Sequence, residues 1–138
     1  MGKAVDFNEI DKVLSTGKYD LITLTHNETS TGIMNPIEDV SMVMKKYPEV
    51  IFVVDTVSSA GGTKIEVDKL GVDICITSTQ KAIGLPPGMS ICTFSEKAVK
   101  NAEKVEFRGT YFDLLSLYKN TYDKVEFFSL FELYKSNK

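Results

Sequence analysis

The sequence predicts an α/β fold, a mostly parallel sheet with helices on both faces in three α/β/α layers. Runs apolar on both faces, VIFVV at 50–54 among them, alternate with helix-length segments along the chain. Polar stretches rich in Gly, Ser and Thr follow three of these runs, where such sheets bind ligands beyond the carboxyl ends of their strands. The 138 residues are 43% hydrophobic and 25% charged, which suits one folded domain spanning 1–138.

Asp6 caps a first helix, with Glu9 three residues on. Phe7, Ile10, Val13 and Leu14 share its apolar face, and Gly17 stops it. Tyr19 to Thr25 reads as a buried strand. Asn35 and Pro36 open the next helix, as a cap followed by proline at the first helical position. Ile37, Val40, Met44 and Tyr47 form its inner face, and Pro48 closes it. Val50–Val54, Val72–Ile76 and Ser90–Phe94 read as further strands. Ser95 caps a helix carrying Ala98, Val99 and Ala102, and the charges from Lys97 to Lys104 read as its solvated face. Two helical stretches follow, Tyr111–Tyr118 and Val125–Tyr134. In the second, Phe127, Leu130, Phe131 and Tyr134 form a stripe at i, i+3, i+4, i+7. An uncovered stripe of that kind points to a partner subunit or a missing domain, and self-association is the expectation.

Composition excludes several classes of function. The net charge is −3 and the pI is near 5.2, against the basic excess that nucleic-acid binding needs. No apolar run approaches the roughly 20 residues of a membrane-spanning helix. The opening MGKAVDFNEIDK is acidic and polar, so no secretory leader is expected. Cys75 and Cys92 lie in apolar runs and form no disulfide framework, which predicts a reduced, cytoplasmic setting. His26 is the single histidine, so a multi-histidine metal site is excluded and no metal is expected.

The chemistry-bearing residues fall in three stretches: THNETSTG at 25–32, DTVSSAGG at 55–62 and TSTQKAIGLPPG at 77–88. Small hydroxyl residues and glycine let a backbone approach a phosphate or other polar ligand. Asp55 ends an apolar run; it either pairs with a cation or caps its loop through the backbone of Val57 or Ser58. Lys81 has little charge around it in sequence; it is either an amine nucleophile in a partly dry pocket or a solvated surface lysine. His26 reads by default as a hydrogen-bonded structural residue. Gly61-Gly62 and Pro86-Pro87-Gly88 read as turn punctuation.

THNETSTGIMNP, VVDTVSSAGGTKIEVDKLGVDI and STQKAIGLPPGMS, in that order, resemble the class V group of fold-type I aminotransferases, which use pyridoxal 5'-phosphate (PLP). The alanine–glyoxylate and serine–pyruvate branch is the nearest likeness, strongest over 3–118, with 119–138 a divergent helical tail. The resemblance implies a PLP-transferase large domain. Its activity would be amino-group transfer between a small amino acid and a 2-oxo acid, performed by a homodimer. Lys81 would be the catalytic amine that holds PLP and carries a proton. Asp55 would pair with the ring nitrogen, Val57 would pack on the ring, Thr29 would bond near the phenolic oxygen, and Gln80 would reach the phosphate. Cysteine desulfurases place histidine where Gln80 stands, and phosphoserine aminotransferases follow the lysine with an asparagine-bearing stretch. Those enzymes are the related alternatives, and a non-catalytic assembly protein that keeps the half-sheet is the other.

The family also has an N-terminal glycine loop for phosphate, an aromatic residue stacked on the ring, and a small domain whose arginine grips the substrate carboxylate. Arg108, the single arginine, matches no such motif. The expectation is therefore the central part of a large domain, with transaminase activity incomplete in this chain alone.

Overall fold

The computed structural model describes residues 2–109, 111 and 113–122. In chain order the elements are α1 (Phe7–Leu14), β1 (Leu21–Thr25), β2 (Asn27–Glu28), β3 (Ile33–Met34), α2 (Ile37–Met44), β4 (Ile51–Asp55), α3 (Val67–Leu70), β5 (Ile74–Ser78), β6 (Ser90–Phe94), α4 (Glu96–Ala102) and α5 (Leu114–Tyr122). The main sheet has the order β1-β4-β5-β6. Its first three strands are parallel, and β6 runs antiparallel to β5. β2 and β3 form a separate antiparallel ribbon. Helices between parallel strands make this the expected mostly parallel α/β fold.

Register explains the core. Leu24 lies beside Val54, and Val54 beside Cys75, so these three share one face of the sheet. Phe52, two residues from Val54, shares it too. Leu14 of α1 and Ile37, Val40 and Met44 of α2 pack on that face. Phe52, Val40 and Val54 are fully buried, each contributing roughly 1.5–3 kcal/mol. The opposite face is barer than the two-sided covering that the sequence predicts: Leu21 is 46% and Ile76 39% exposed.

The expected buried strand Tyr19–Thr25 is corrected in the same way. Strand β1 begins at Leu21, and only Leu24 of it is buried. It pairs with β4 alone and forms an edge of the sheet among the described residues.

Local capping chemistry sets most helix starts. Asp6 Oδ1 accepts the Asn8 N–H at 2.9 Å, and Ser95 Oγ accepts the Ala98 N–H at 3.0 Å. Asn35 differs from its expected role as a cap. Its Oδ1 accepts from the Val5 N–H at 2.9 Å, and its Nδ2 donates to the Thr25 carbonyl at 2.7 Å. Its side chain thus clasps the end of β1, and Pro36 takes the capping position without a side-chain bond. The first tail helix starts later than expected, at Leu114, where Asp113 accepts from Leu115 N–H at 3.1 Å and Ser116 Oγ at 2.7 Å. The stretch Val125–Tyr134, with Phe127, Leu130, Phe131 and Tyr134, lies outside the described residues. No helix among the described residues is long and apolar enough to cross a membrane.

Lys97 corrects the expectation of a solvated charge. Its ammonium sits 2.6 Å from Asp73 Oδ2 and donates to the carbonyls of Pro48 and Val50 at 3.0 and 2.9 Å. Asp73 is buried and also accepts from the Phe52 N–H at 2.9 Å and the Ser95 hydroxyl at 2.6 Å. Main-chain bonds from Asp73 N–H to Phe52 O and from Ser95 N–H to Asp73 O, at 2.8 and 2.7 Å, complete the knot. A buried carboxylate persists only when paired and hydrogen-bonded, and here both conditions are met. The knot joins β4, β5 and β6 at the edge of the sheet opposite the polar loops.

Candidate functional site

Thr25, Asp55 and Ile76 stand level across three parallel strands. The polar stretches of the sequence therefore leave the sheet at one edge, its carboxyl edge.

The first loop is tied to the second by side chains. Thr29 Oγ1 and Ser58 Oγ are 2.5 Å apart, and Asn27 Nδ2 donates to the Ser58 carbonyl at 3.4 Å. His26 Nδ1 lies 3.0 Å from Ser59 Oγ, and its backbone N–H donates to the Asp55 carbonyl at 2.8 Å. His26 is buried and hydrogen-bonded, as its default reading expects. Burial holds its pKa below the usual imidazole value, against a smaller opposite pull from Glu38. The imidazole is therefore neutral at pH 7.

Asp55, at the end of its apolar run, is exposed. Its strand ends at the rim, so the side chain emerges into solvent. Oδ1 accepts the Val57 N–H at 2.8 Å, which is the loop-cap geometry. Oδ2 has no partner among the described residues, so capping uses only one of the two oxygens.

The third loop carries Gln80 and Lys81. Thr79, 1% exposed, pins it: the hydroxyl donates to the Pro86 carbonyl at 2.6 Å, and the N–H donates to Met89 O at 3.2 Å. The Leu85 N–H donates to Thr79 O and the Gly84 N–H to Lys81 O, each at 2.9 Å. Gln80 and Lys81 are both exposed, so the partly dry pocket read for Lys81 is absent among the described residues. Lys81 Nζ has no hydrogen-bond or ion-pair partner among them. A Cβ at Gly62 would meet Ala82 Cβ at 3.4 Å, and one at Gly61 would meet Ile83 Cγ1 at 3.4 Å. Gly61 also has φ +90°, which a side chain would strain. These glycines, read from sequence as punctuation, bring the second loop against the backbone that follows Lys81.

The structure therefore places all five expected residues at one edge. Thr29 meets Ser58, Asp55 binds half-buried Val57, and the glycines after Val57 pack beside the segment of Gln80 and Lys81. Ser58 and the His26–Ser59 pair were not singled out as ligands or braces. Their partners lie about thirty residues away in sequence, and the Ser-rich composition of the loop was the only signal.

Burial pushes the Cys92 thiol up to about 12 and raises Cys75 as well, so neither is a thiolate nucleophile at neutral pH. Among the described residues no group of three or more His, Cys, Asp or Glu could hold a metal ion.

The family model described as Aminotransferase class-V matches residues 2–128. An uncharacterized aminotransferase of Methanocaldococcus jannaschii is 47% identical over 114 residues, covering 78% of this chain and 28% of the relative. An alanine–glyoxylate aminotransferase of Saccharomyces cerevisiae is 40% identical over 98 residues, covering 70% of this chain and 26% of the relative. The crystal structure of an alanine–glyoxylate aminotransferase from Nostoc sp. superposes with a TM-score of 0.79 at 32% identity, covering 86% of this chain and 32% of that one. The chain spans between a quarter and a third of the length of these relatives.

Proposed function

The chain belongs to the aminotransferase class-V family, and on that premise we propose that it is one domain, part of a large domain serving a PLP-dependent transaminase. The reaction is transfer of an amino group between a small amino acid and a 2-oxo acid. One observation carries this reading. A lysine with an unpartnered amine and a carboxylate with one free oxygen emerge from neighbouring loops at the carboxyl edge of one sheet.

The donor set fits PLP. The group needs an amine for its aldehyde, an anion for its ring nitrogen, and polar donors for its phenolic oxygen and phosphate. Lys81, Asp55, Thr29 and Gln80 supply these in turn, and Val57 offers an apolar surface to the ring. When bound, PLP supplies an electron sink for the substrate's α-carbon. Lys81 Nζ would hold the group and, as a free amine, would hold and move the proton at that carbon. Asp55 Oδ2 would pair with the ring nitrogen and favour its protonated form, while Oδ1 stays on the Val57 N–H and fixes the carboxylate's direction. Ser58, bonded to Thr29, holds that hydroxyl in place. The working form is a homodimer, supported by the exposure of Val105 at 48% and Phe107 at 88%.

Incubation with PLP, borohydride reduction and peptide mapping tests the reading. The label is expected at Lys81 above the other lysines. Asp55→Asn is expected to weaken binding about tenfold to a hundredfold, the loss of a charge-assisted hydrogen bond. Label spread evenly over surface lysines and indifferent to Asp55→Asn refutes the assignment and leaves the assembly role.

A further inference from the structure

His26 and Ser59 take no part in the roles above, yet they sit beside them. They are 4% and 2% exposed, and their contact joins residues 33 positions apart. His26 follows β1. Ser59 lies in the turn after β4 that also carries Val57 and Ser58. The backbone extends the contact both ways. The His26 N–H donates to Asp55 O at 2.8 Å, and the His26 carbonyl accepts the Asn35 N–H at 2.7 Å. The Ser59 carbonyl accepts from the Gly62 and Thr63 N–H groups, each at 2.9 Å. Gly62 in turn packs on Ala82, next to Lys81.

Three side-chain bonds cross from the first loop to this turn: Asn27–Ser58, Thr29–Ser58 and His26–Ser59. Thr29 is exposed, and the Asn27 bond is long at 3.4 Å. Water competes for those two. The His26–Ser59 bond is the buried one of the three, so it loses least to solvent and costs most to break. With the imidazole neutral, Nδ1 can accept the Ser59 proton in the tautomer that carries its hydrogen on Nε2.

We infer that the His26–Ser59 pair is a positioning device that fixes the turn after β4 and thereby places Asp55, Val57 and Ser58 for the cofactor. What is being placed rests on the function proposed above; that the turn is fixed does not.

The experiment has two readouts on the 138-residue chain with Ser59→Ala, His26→Leu and His26→Asn. The first is backbone amide exchange without PLP. Ser59→Ala and His26→Leu are expected to speed exchange at Val57, Ser58 and Ala60 about fivefold, leaving Phe52 and Val54 in β4 unchanged. Asn presents a polar atom where Nδ1 stood, so His26→Asn is expected to restore most of the protection. The second readout is equilibrium titration with PLP. The two disruptive variants are expected to weaken binding about fivefold to tenfold, and the double variant Ser59→Ala/His26→Leu no further than either alone. Unchanged exchange in the turn overturns the inference whatever PLP does, as does loosening spread evenly through β4. Normal Asp55-dependent labelling of Lys81 with equally tight PLP in Ser59→Ala also overturns it, while the transaminase reading stands. Fast exchange confined to the turn, rescued by Asn, in a protein that PLP labels at random upholds the brace and refutes the function.

Discussion

Removing the carboxylate of Asp73 is the sharpest test of how this fold is held together. In Asp73→Ala three donors lose their acceptor at once: the Phe52 N–H, the Ser95 hydroxyl and the Lys97 ammonium. The Lys97 ammonium keeps the Pro48 and Val50 carbonyls, and Ser95 Oγ keeps the Ala98 N–H, so neither is wholly abandoned. The N–H of Phe52, a fully buried residue, is left bare at about 1–3 kcal/mol. Adding the lost pairing gives a total of about 3–5 kcal/mol, the usual cost of breaking a buried pair from one side. Asp73→Asn retains the shape and one acceptor oxygen, so it should cost only about 1.5–2 kcal/mol. Lys97→Met leaves the carboxylate its two neutral donors and should fall between the two. The double variant Asp73→Ala/Lys97→Met should cost less than the sum of the singles by about 1–3 kcal/mol. Urea unfolding followed by circular dichroism measures all four, with an unchanged m-value as the check on two-state behaviour. Asp73→Ala within about 1 kcal/mol of wild type, or singles that simply add, would refute the claim that these groups act as one unit.

Other outcomes follow from the same structure. Phe52→Ala should cost about 3–5 kcal/mol in thermal or urea unfolding, because the fully buried ring leaves a cavity between β4 and α2. Gly61→Ala should cost about 1–2 kcal/mol through its positive φ, and should lower PLP labelling of Lys81 by disturbing the packing on Ala82 and Ile83. His26 has a folded pKa below its unfolded one, so the unfolded chain binds the proton first. Stability should fall as pH drops below about 6.5, and His26→Asn should flatten that arm in pH-dependent unfolding. Hydrogen bonds to Ser30 and Lys69 lower the carboxyl pKa values of Glu28 and Glu66, so a second loss of stability should come as pH falls through the folded values of these groups, below about 4.3. These residues assayed alone with alanine and a 2-oxo acid should turn over orders of magnitude more slowly than the full-length relatives. The single arginine, Arg108, is spent on the Val105 carbonyl at 2.6 Å and Asp113 at 3.1 Å and cannot grip a substrate carboxylate.

What was legible in the sequence was local. Asp6 and Ser95 cap the helices assigned to them because a cap bonds an N–H two or three residues on. The strand Ser90–Phe94 and the inner face Ile37, Val40, Met44 follow from apolar spacing alone. The order of the loops was also legible, since parallel strands must deliver their followers to one edge. What was not legible depends on partners distant in sequence. Asn35 has the chemistry of a cap but is taken by Thr25 and Val5. Lys97 looks like any surface lysine until Asp73 is brought beneath it. The ribbon of β2 and β3 has two residues per strand, too few for any periodicity to register. At the site, Asp55 and Lys81 are indicated by their places after strands, whereas Ser58 and Ser59 gain meaning only from the loop that folds over from β1.

The reversed direction of β6 has a consequence for how the lysine-bearing loop can vary. Because β6 returns antiparallel beside β5, residues 79–89 start and finish at the same rim of the sheet. The two anchors are neighbouring strands, about 4.8 Å apart. An eleven-residue segment could span roughly 35 Å if extended, so this connection is slack rather than taut. Tension between its ends therefore does not decide where Lys81 stands; the internal staples from Thr79 to Pro86, Leu85 and Met89 do. A residue inserted among the exposed prolines would be absorbed as a wider bow, while loss of the Thr79 hydroxyl would free the arch at Pro86 and leave the main-chain staples to Leu85 and Met89 to hold it.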